Sequence, residues 1–408
     1  MSRSDDPTRL VGAALCGLVG AALACPPAVL AAALIGRTPA MRAGLVGIAL
    51  AALLAGQARV AELEQRTLSP GRYSGTITIS GQPLDGRAIV ESSPGERVLV
   101  TLHGPDLAQG QRYRVTGSLS DIDPVVRDYY STQGVHLHLL VSDWRPTGRR
   151  GGVWGAVDRL HAGALRALGM GDGAGSERGL VAGIVIGDTS GLSARERDRL
   201  RASGLYHVVA VSGQNVALIT VFVLVAFGLT GLIGTPARVA ALLAAAVYTL
   251  VTGAGPSIVR AGVAGALVAT AWIASRPVLR WHLFACGAAI VLAVDPLELY
   301  DPGFQLSFAA VAAIYLVAPR LSGLLGQAAG VSVACTVVTT PIAWWHFGRL
   351  APLAVPANLL ALPAVAPILW LGVAAVLVGS VSPPLAEPLL GLADLLAGYV
   401  LWVSSLFA

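Results

Sequence analysis

Apolar stretches follow one another through the second half of this chain, at about 205–233, 239–253, 257–275, 281–294, 303–318, 322–345, 351–379 and 385–408. A helix that crosses a bilayer needs roughly 20 mostly apolar residues, and several of these runs reach that length. Of the whole chain 55% is hydrophobic and 12% charged, against about 25% charged in a soluble domain. Most of the chain must therefore dissolve in lipid. The fold class expected is a polytopic α-helical membrane protein.

Hydrocarbon cannot satisfy free backbone or side-chain polar groups, so these persist at membrane depth only against protein or a water-filled path. The first run nevertheless contains Tyr206-His-Val-Val-Ala-Val-Ser-Gly-Gln-Asn-Val216. It puts Ser212, Gly213, Gln214 and Asn215 where a spanning helix should be apolar, with His207 just ahead. A helix interrupted in this way points to transport.

Other places break the same rule. In Gly253-Ala-Gly-Pro-Ser-Ile-Val-Arg260, Pro256 suits the first position of a helix, whose free N–H groups point at whatever lies ahead. Ser257 and Arg260 share a face there, and a helix N-terminus beside an arginine is suited to anions. Asp295-Pro-Leu-Glu-Leu-Tyr-Asp-Pro-Gly-Phe-Gln-Leu-Ser-Phe308 places Gln305 and Ser307 at a helix start, with Asp295 and Glu298 expected in a solvated capping loop. Trp344-Trp-His-Phe-Gly-Arg349 reads as an interfacial aromatic belt. Pro356 and Pro363 flank Asn358, which predicts a broken helix.

The first half divides differently. Residues 1–57 are expected to form an N-terminal transmembrane anchor of two passages, retained rather than cleaved, because Asp5 and Asp6 weaken the positive leader region. Residues 58–150 alternate polar and apolar positions between Gly, Pro and Asp turns, which predicts a small all-β domain of the five-stranded barrel kind. It holds 11 Arg against 10 Asp plus Glu, so it is nearly neutral. Residues 151–204 read as amphipathic helices lying on the membrane, with Ser193 and Glu196 as a capping box and Gly179–Gly187 as a short re-entrant run. Residues 205–408 form the multi-helix domain. Arginines in short loops (Arg37, Arg42, Arg238, Arg276, Arg280, Arg320) can all be cytoplasmic, which places the β domain outside.

Enzyme classes find little support. The chain has no lysine, so a phosphate loop of the ATPase kind is excluded and no motor is expected. His136-Leu-His138 lacks the further ligands of a zinc hydrolase, and no metal or cofactor is expected. Ser212 or His207 as nucleophile or base would need a partner that the sequence does not offer.

Several blocks in order resemble the signature of ComEC-type competence proteins: Gly183-Ile-Val-Ile-Gly-Asp-Thr-Ser-Gly-Leu192, Ala202-Ser-Gly-Leu-Tyr-His-Val-Val-Ala-Val-Ser-Gly-Gln-Asn-Val216, Pro256-Ser-Ile-Val-Arg-Ala261 and Asp301-Pro-Gly-Phe-Gln-Leu-Ser-Phe308. Asn358-Leu-Leu-Ala-Leu-Pro363 is similar to a later block. The resemblance implies an OB-like extracytoplasmic module and a channel that carries single-stranded DNA across the cytoplasmic membrane during natural transformation. It implies as partners the DNA strand, the lipid bilayer and other competence proteins, including a DNA receptor and a cytoplasmic ATPase or helicase motor. Gln214 and Asn215 stand where the commonest family pattern is Leu-His, and the His-x-His-x-Asp-His motif of the family's nuclease-like domain is not found in this sequence. The residues expected to line the path are His207, Ser212, Gly213, Gln214, Asn215, Ser257, Arg260, Gln305, Ser307 and Asn358. Rival readings of the same polar breaks are a secondary transporter for a small anion, an intramembrane enzyme and a dry scaffold.

Overall fold

The computed structural model describes the chain except residues 1–6, 24, 26–29, 32–37, 64–67, 82, 84–85, 94, 103–107, 124–126, 128–129, 132, 172, 210–211, 254–259 and 268–279. Helices α1 (Pro7–Ala22) and α2 (Pro39–Leu63) open the chain and pack Ala13 and Ala21 against Leu45, Ala49 and Leu53. Small residues at such a seam let backbones approach closely, which replaces the missing hydrophobic drive between helices in lipid.

Five strands follow: β1 (Gly71–Ile79), β2 (Arg87–Ser92), β3 (Arg97–Thr101), β4 (Gln111–Asp121) and β5 (Leu137–Arg149). They close into a barrel in the order β1-β2-β3-β5-β4, antiparallel except where β3 meets β5. The order is OB-like. Alternation decides the faces: Ile77, Ile79, Val90, Val98, Val100, Val115, Leu137 and Leu139 point inward. Tyr113 and Trp144 meet edge to face at 5.9 Å, so these two aromatics belong to the barrel's apolar core and are not spread over an outer surface.

Helices α3 (Gly152–Ala167), α4 (Ser176–Ile186), α5 (Ala194–Ala202) and the short α6 (Tyr206–Val209) lead into the apolar half. Both halves of the Ser193–Glu196 capping box are present at the start of α5. Every residue from Gly179 to Ile186 is buried. This segment is a core helix seated among the later ones, not an isolated loop in lipid. Helices α7 (Gly213–Leu229), α8 (Thr235–Val251), α9 (Arg280–Val294), α10 (Pro302–Leu316), α11 (Ala318–Leu325), α12 (Gln327–Phe347), α13 (Ala354–Gly379) and α14 (Pro383–Leu406) complete the order. Residues 260–267 are also helical.

Among the described residues four helices are long and apolar enough to cross a membrane (within α2, and α12, α13 and α14), or five if α10 and α11, bent by 60° at their junction, make one span. The main core joins α4, α6 and the start of α7 to α13 and α14, with Ala357, Ala361, Ala364 and Ala375 near Ala386, Ala393 and Ala397. A second cluster seats α1 on α9 and α10 through Leu18, Val291, Leu292 and Phe304. The break expected around Asn358 is corrected by the structure: α13 runs unbroken for 26 residues. Pro356 lies in its first turn, where no N–H is needed, and Pro363 and Pro367 each remove one internal bond without ending the helix.

Candidate functional site: a polar break beside a buried arginine

The break in the first apolar run is real at the level of the backbone. Ser212 sits ahead of α7 in extended conformation and makes no cap bond with its side chain. Its hydroxyl donates instead to Asn215 Oδ1 at 3.3 Å, and Asn215 Nδ2 donates to the Ile184 carbonyl at 2.8 Å. Asn215 is 1% exposed, so its amide binds the break to the end of α4. Gly213 and Gln214 remain exposed. His207 presents an exposed ring whose Nδ1 bonds the Gly204 carbonyl at 2.9 Å.

Glycine at position 213 brings this break against the arginine helix. A Cβ placed on Gly213 would lie 3.3 Å from the Ala261 Cβ, one residue beyond Arg260. The Arg260 side chain is 4% exposed and its Nη1 lies 2.9 Å from Glu298 Oε2 and 3.5 Å from Asp301 Oδ1. Its Nε and Nη2 have no hydrogen-bond partner among the described residues. Gly303 provides the space for this fork: a Cβ there would stand 2.8 Å from both Nη2 and Asp301 Oδ1. Asp301 also caps α10 by accepting from the Phe304 N–H at 2.8 Å, so one carboxylate both starts a helix and faces the arginine.

Glu298 lies on the turn Pro296–Tyr300 between α9 and α10. Burial pushes its carboxyl up to about 7, with Arg260 pulling the other way and Asp301 and Asp295 adding to the rise. Near neutral pH, then, the charge that this carboxyl presents to Arg260 depends on pH.

Gln305 is one turn into α10. Its Nε2 donates to the Leu299 carbonyl at 2.9 Å, and its Oε1 lies 2.9 Å from His346 Nε2. His346 was expected only as part of an aromatic belt. Ser307 is half-buried on the same helix. Asn358 is buried, and among the described residues its Oδ1 has no partner and no hydrogen bond ties it to the Arg260 cluster. Ser257 lies outside the described residues.

Two further groups were not singled out by spacing. His161 on α3 bonds the Val251 carbonyl at 2.7 Å through Nδ1 and faces Asp188 at 3.9 Å through Nε2. It thereby links the Gly187–Gly191 loop to the end of α8, just ahead of the segment that leads to Arg260. Burial works against its charged form, but Asp188 and the Val251 carbonyl raise its pKa above the usual value for histidine. Among the described residues no group of His, Cys, Asp or Glu could hold a metal ion.

The polar break, Arg260 and the Asp301 cap all fall in the part of the chain, residues 184–408, that matches the family model described as Competence protein. That is more than half of the sequence. The chain belongs to the competence protein family. It is 28% identical over 196 residues to ComE operon protein 3 of Bacillus subtilis (strain 168), covering 45% of this chain and 24% of that protein. It is also 28% identical over 145 residues to the uncharacterized protein YcaI of Escherichia coli (strain K12), covering 33% of this chain and 19% of the other. The matched segments thus span about a quarter and a fifth of these relatives' lengths. No solved structure matches.

Proposed function

We propose that this competence-family chain is a membrane channel that passes single-stranded DNA across the cytoplasmic membrane during natural transformation. The observation that carries the reading is the meeting of the polar break with Arg260, through Gly213 and Ala261. Family membership supports the substrate, and the apolar helices support the multi-pass setting. In this reading the barrel lies on the extracytoplasmic side and receives the strand. Gln214 and His207 offer polar edges to the path. Arg260, buried beside the break, acts on passing phosphates through its field, while Glu298 and Asp301 hold the guanidinium and keep each phosphate from binding too tightly.

That last point follows from electrostatics. An unopposed buried arginine would trap a polyanion, and conduction needs binding weak enough to release. Carboxylates beside the guanidinium lower the net field that a passing strand meets. The chain acts by transport and not by catalysis, and a partner motor supplies the energy.

The test is entry down a concentration gradient into vesicles containing the full chain, with labelled single-stranded DNA in one arm and small organic and inorganic anions in the other. Arg260→Ala together with Glu298→Gln removes the fork while neutralising one of the two carboxylates that it would otherwise leave unpaired. The expected result is DNA uptake in the unaltered protein, loss in the double variant and no small-anion flux in either. Small-anion flux without DNA uptake would overturn the assignment.

A further inference from the structure

The barrel is nearly neutral as a whole, but its charges are not evenly spread. Arg112 and Arg114 on β4 and Arg145 and Arg149 on β5 are all exposed. Arg114 and Arg145 are register partners, directly opposite one another across the β4–β5 ladder. Arg112 is opposite Gly148, so Arg112, Arg114 and Arg145 share the outer face near one end of this ribbon, while Arg149, opposite Gln111, lies on the face of Tyr113 at the same end. None of them has an ion-pair or hydrogen-bond partner among the described residues. The acid on this part of the ribbon, Asp143, pairs in register with Thr116 and makes no salt bridge to them.

Like charges directly opposite on neighbouring strands destabilise a sheet. An arrangement that keeps such a pair with no salt bridge to a carboxylate among the described residues is one in which an external anion completes the charge balance. The neighbouring strand adds hydroxyls in the same rows: Thr78 pairs with Arg112 and Thr76 with Arg114. Arginine with Ser/Thr hydroxyls is the donor set that proteins use on nucleic-acid phosphates. Successive outward positions on one strand lie about 7 Å apart, a spacing that lets Arg112 and Arg114 engage separate groups of an extended polyanion. Tyr113 and Trp144 are turned toward the core, so the face has donors for phosphate and no stacking platform for bases.

We infer that the outer β4–β5 face of the barrel is a docking surface for the phosphate backbone of DNA, indifferent to sequence. The inference rests on the DNA reading above and names where that strand first touches the protein. The backbone lies across the arginine end of the ribbon, adjacent to the junction with α3. There Arg150 N–H donates to the Gly110 carbonyl at 2.9 Å. Because the face reads phosphate alone, single-stranded and duplex probes bind it with similar strength.

The test uses the full chain in phosphatidylcholine nanodiscs and a fluorescent oligodeoxynucleotide, single-stranded or duplex, titrated at several salt concentrations. Each phosphate contact on a single strand contributes about 0.7 to the slope of log affinity against log salt. Arg114→Gln with Arg145→Gln is expected to flatten that slope by about 1.4 and to weaken binding at low salt. Arg114→Lys with Arg145→Lys is expected to restore the slope. The Gln pair should also raise the barrel's melting temperature, because the opposed charges are gone, and this separates lost binding from lost folding. An unchanged slope in the Gln pair, whether or not co-purified anionic lipid falls, overturns the inference while leaving the channel untouched. Binding with the expected slope but no DNA uptake would overturn the channel instead.

Discussion

Arg260 Nη1 lies 2.9 Å from Glu298 Oε2, across 38 residues of sequence. This pair decides the electrostatics of the break, because the same guanidinium keeps two donors without partners among the described residues. Removing one member of a buried pair leaves the other charge uncompensated, at a cost of about 3–5 kcal/mol. Arg260→Ala alone should therefore lower stability in detergent by that order, and Glu298→Gln added to it should recover much of the loss. Thermal unfolding of the single and double variants checks this. Equal melting in all three proteins would show that the pair carries no such weight.

Gly303→Ala places a methyl group where Arg260 Nη2 and Asp301 Oδ1 already stand. Overpacking of this kind costs about 1–3 kcal/mol. The fork must shift, so DNA uptake should fall at least tenfold while membrane insertion is retained. Uptake at the unaltered rate would mean that the guanidinium position does not matter.

The raised Glu298 carboxyl gives a signed pH dependence. Its folded pKa, about 7, lies above its ordinary value of 4.5. The folded state therefore holds the proton more tightly than the unfolded one. The resulting stability is complete below about pH 4.5 and is lost as pH rises through about 7. The size is on the order of 2–3 kcal/mol. Melting temperature should fall between pH 5.5 and 8, and the fall should shrink in Glu298→Gln. An identical pH profile in that variant would assign the dependence to another group, with His161 the first to examine.

Asn215→Ala removes the amide that satisfies the Ile184 carbonyl. A buried acceptor left without its donor costs about 1–3 kcal/mol, so the break should loosen from α4. Hydrogen exchange over residues 212–218 should quicken in the variant. Unaltered protection there would show that α4 does not hold the break.

Much of this was legible in the residues, for a physical reason. Lipid penalises polar groups so strongly that Ser212–Asn215 and Arg260 stand out against their surroundings, and period-two alternation gave the barrel away. Pairings between distant segments leave no such mark. Glu298 read as a solvated loop residue, and only the turn between α9 and α10 brings it to Arg260. His346 was hidden among tryptophans, yet it meets Gln305 across two helices. Asn358 misled because two prolines suggest a break, whereas α13 accommodates Pro363 and Pro367 without interruption. The near-equal Arg and acid counts of the barrel likewise concealed the segregation that register imposes, since Arg114 and Arg145 are neighbours only after β4 pairs with β5.

The most direct measurement concerns whether water and DNA reach the break. Replacing the native cysteines Cys16, Cys25, Cys286 and Cys335 by serine and introducing Gln214→Cys creates one thiol beside Gly213. In intact membranes a charged, membrane-impermeant maleimide should label it, and added single-stranded DNA should slow the labelling several-fold. A thiol that stays unlabelled until detergent is added, or one whose labelling ignores DNA, would contradict a hydrated strand path at Gln214 and Arg260.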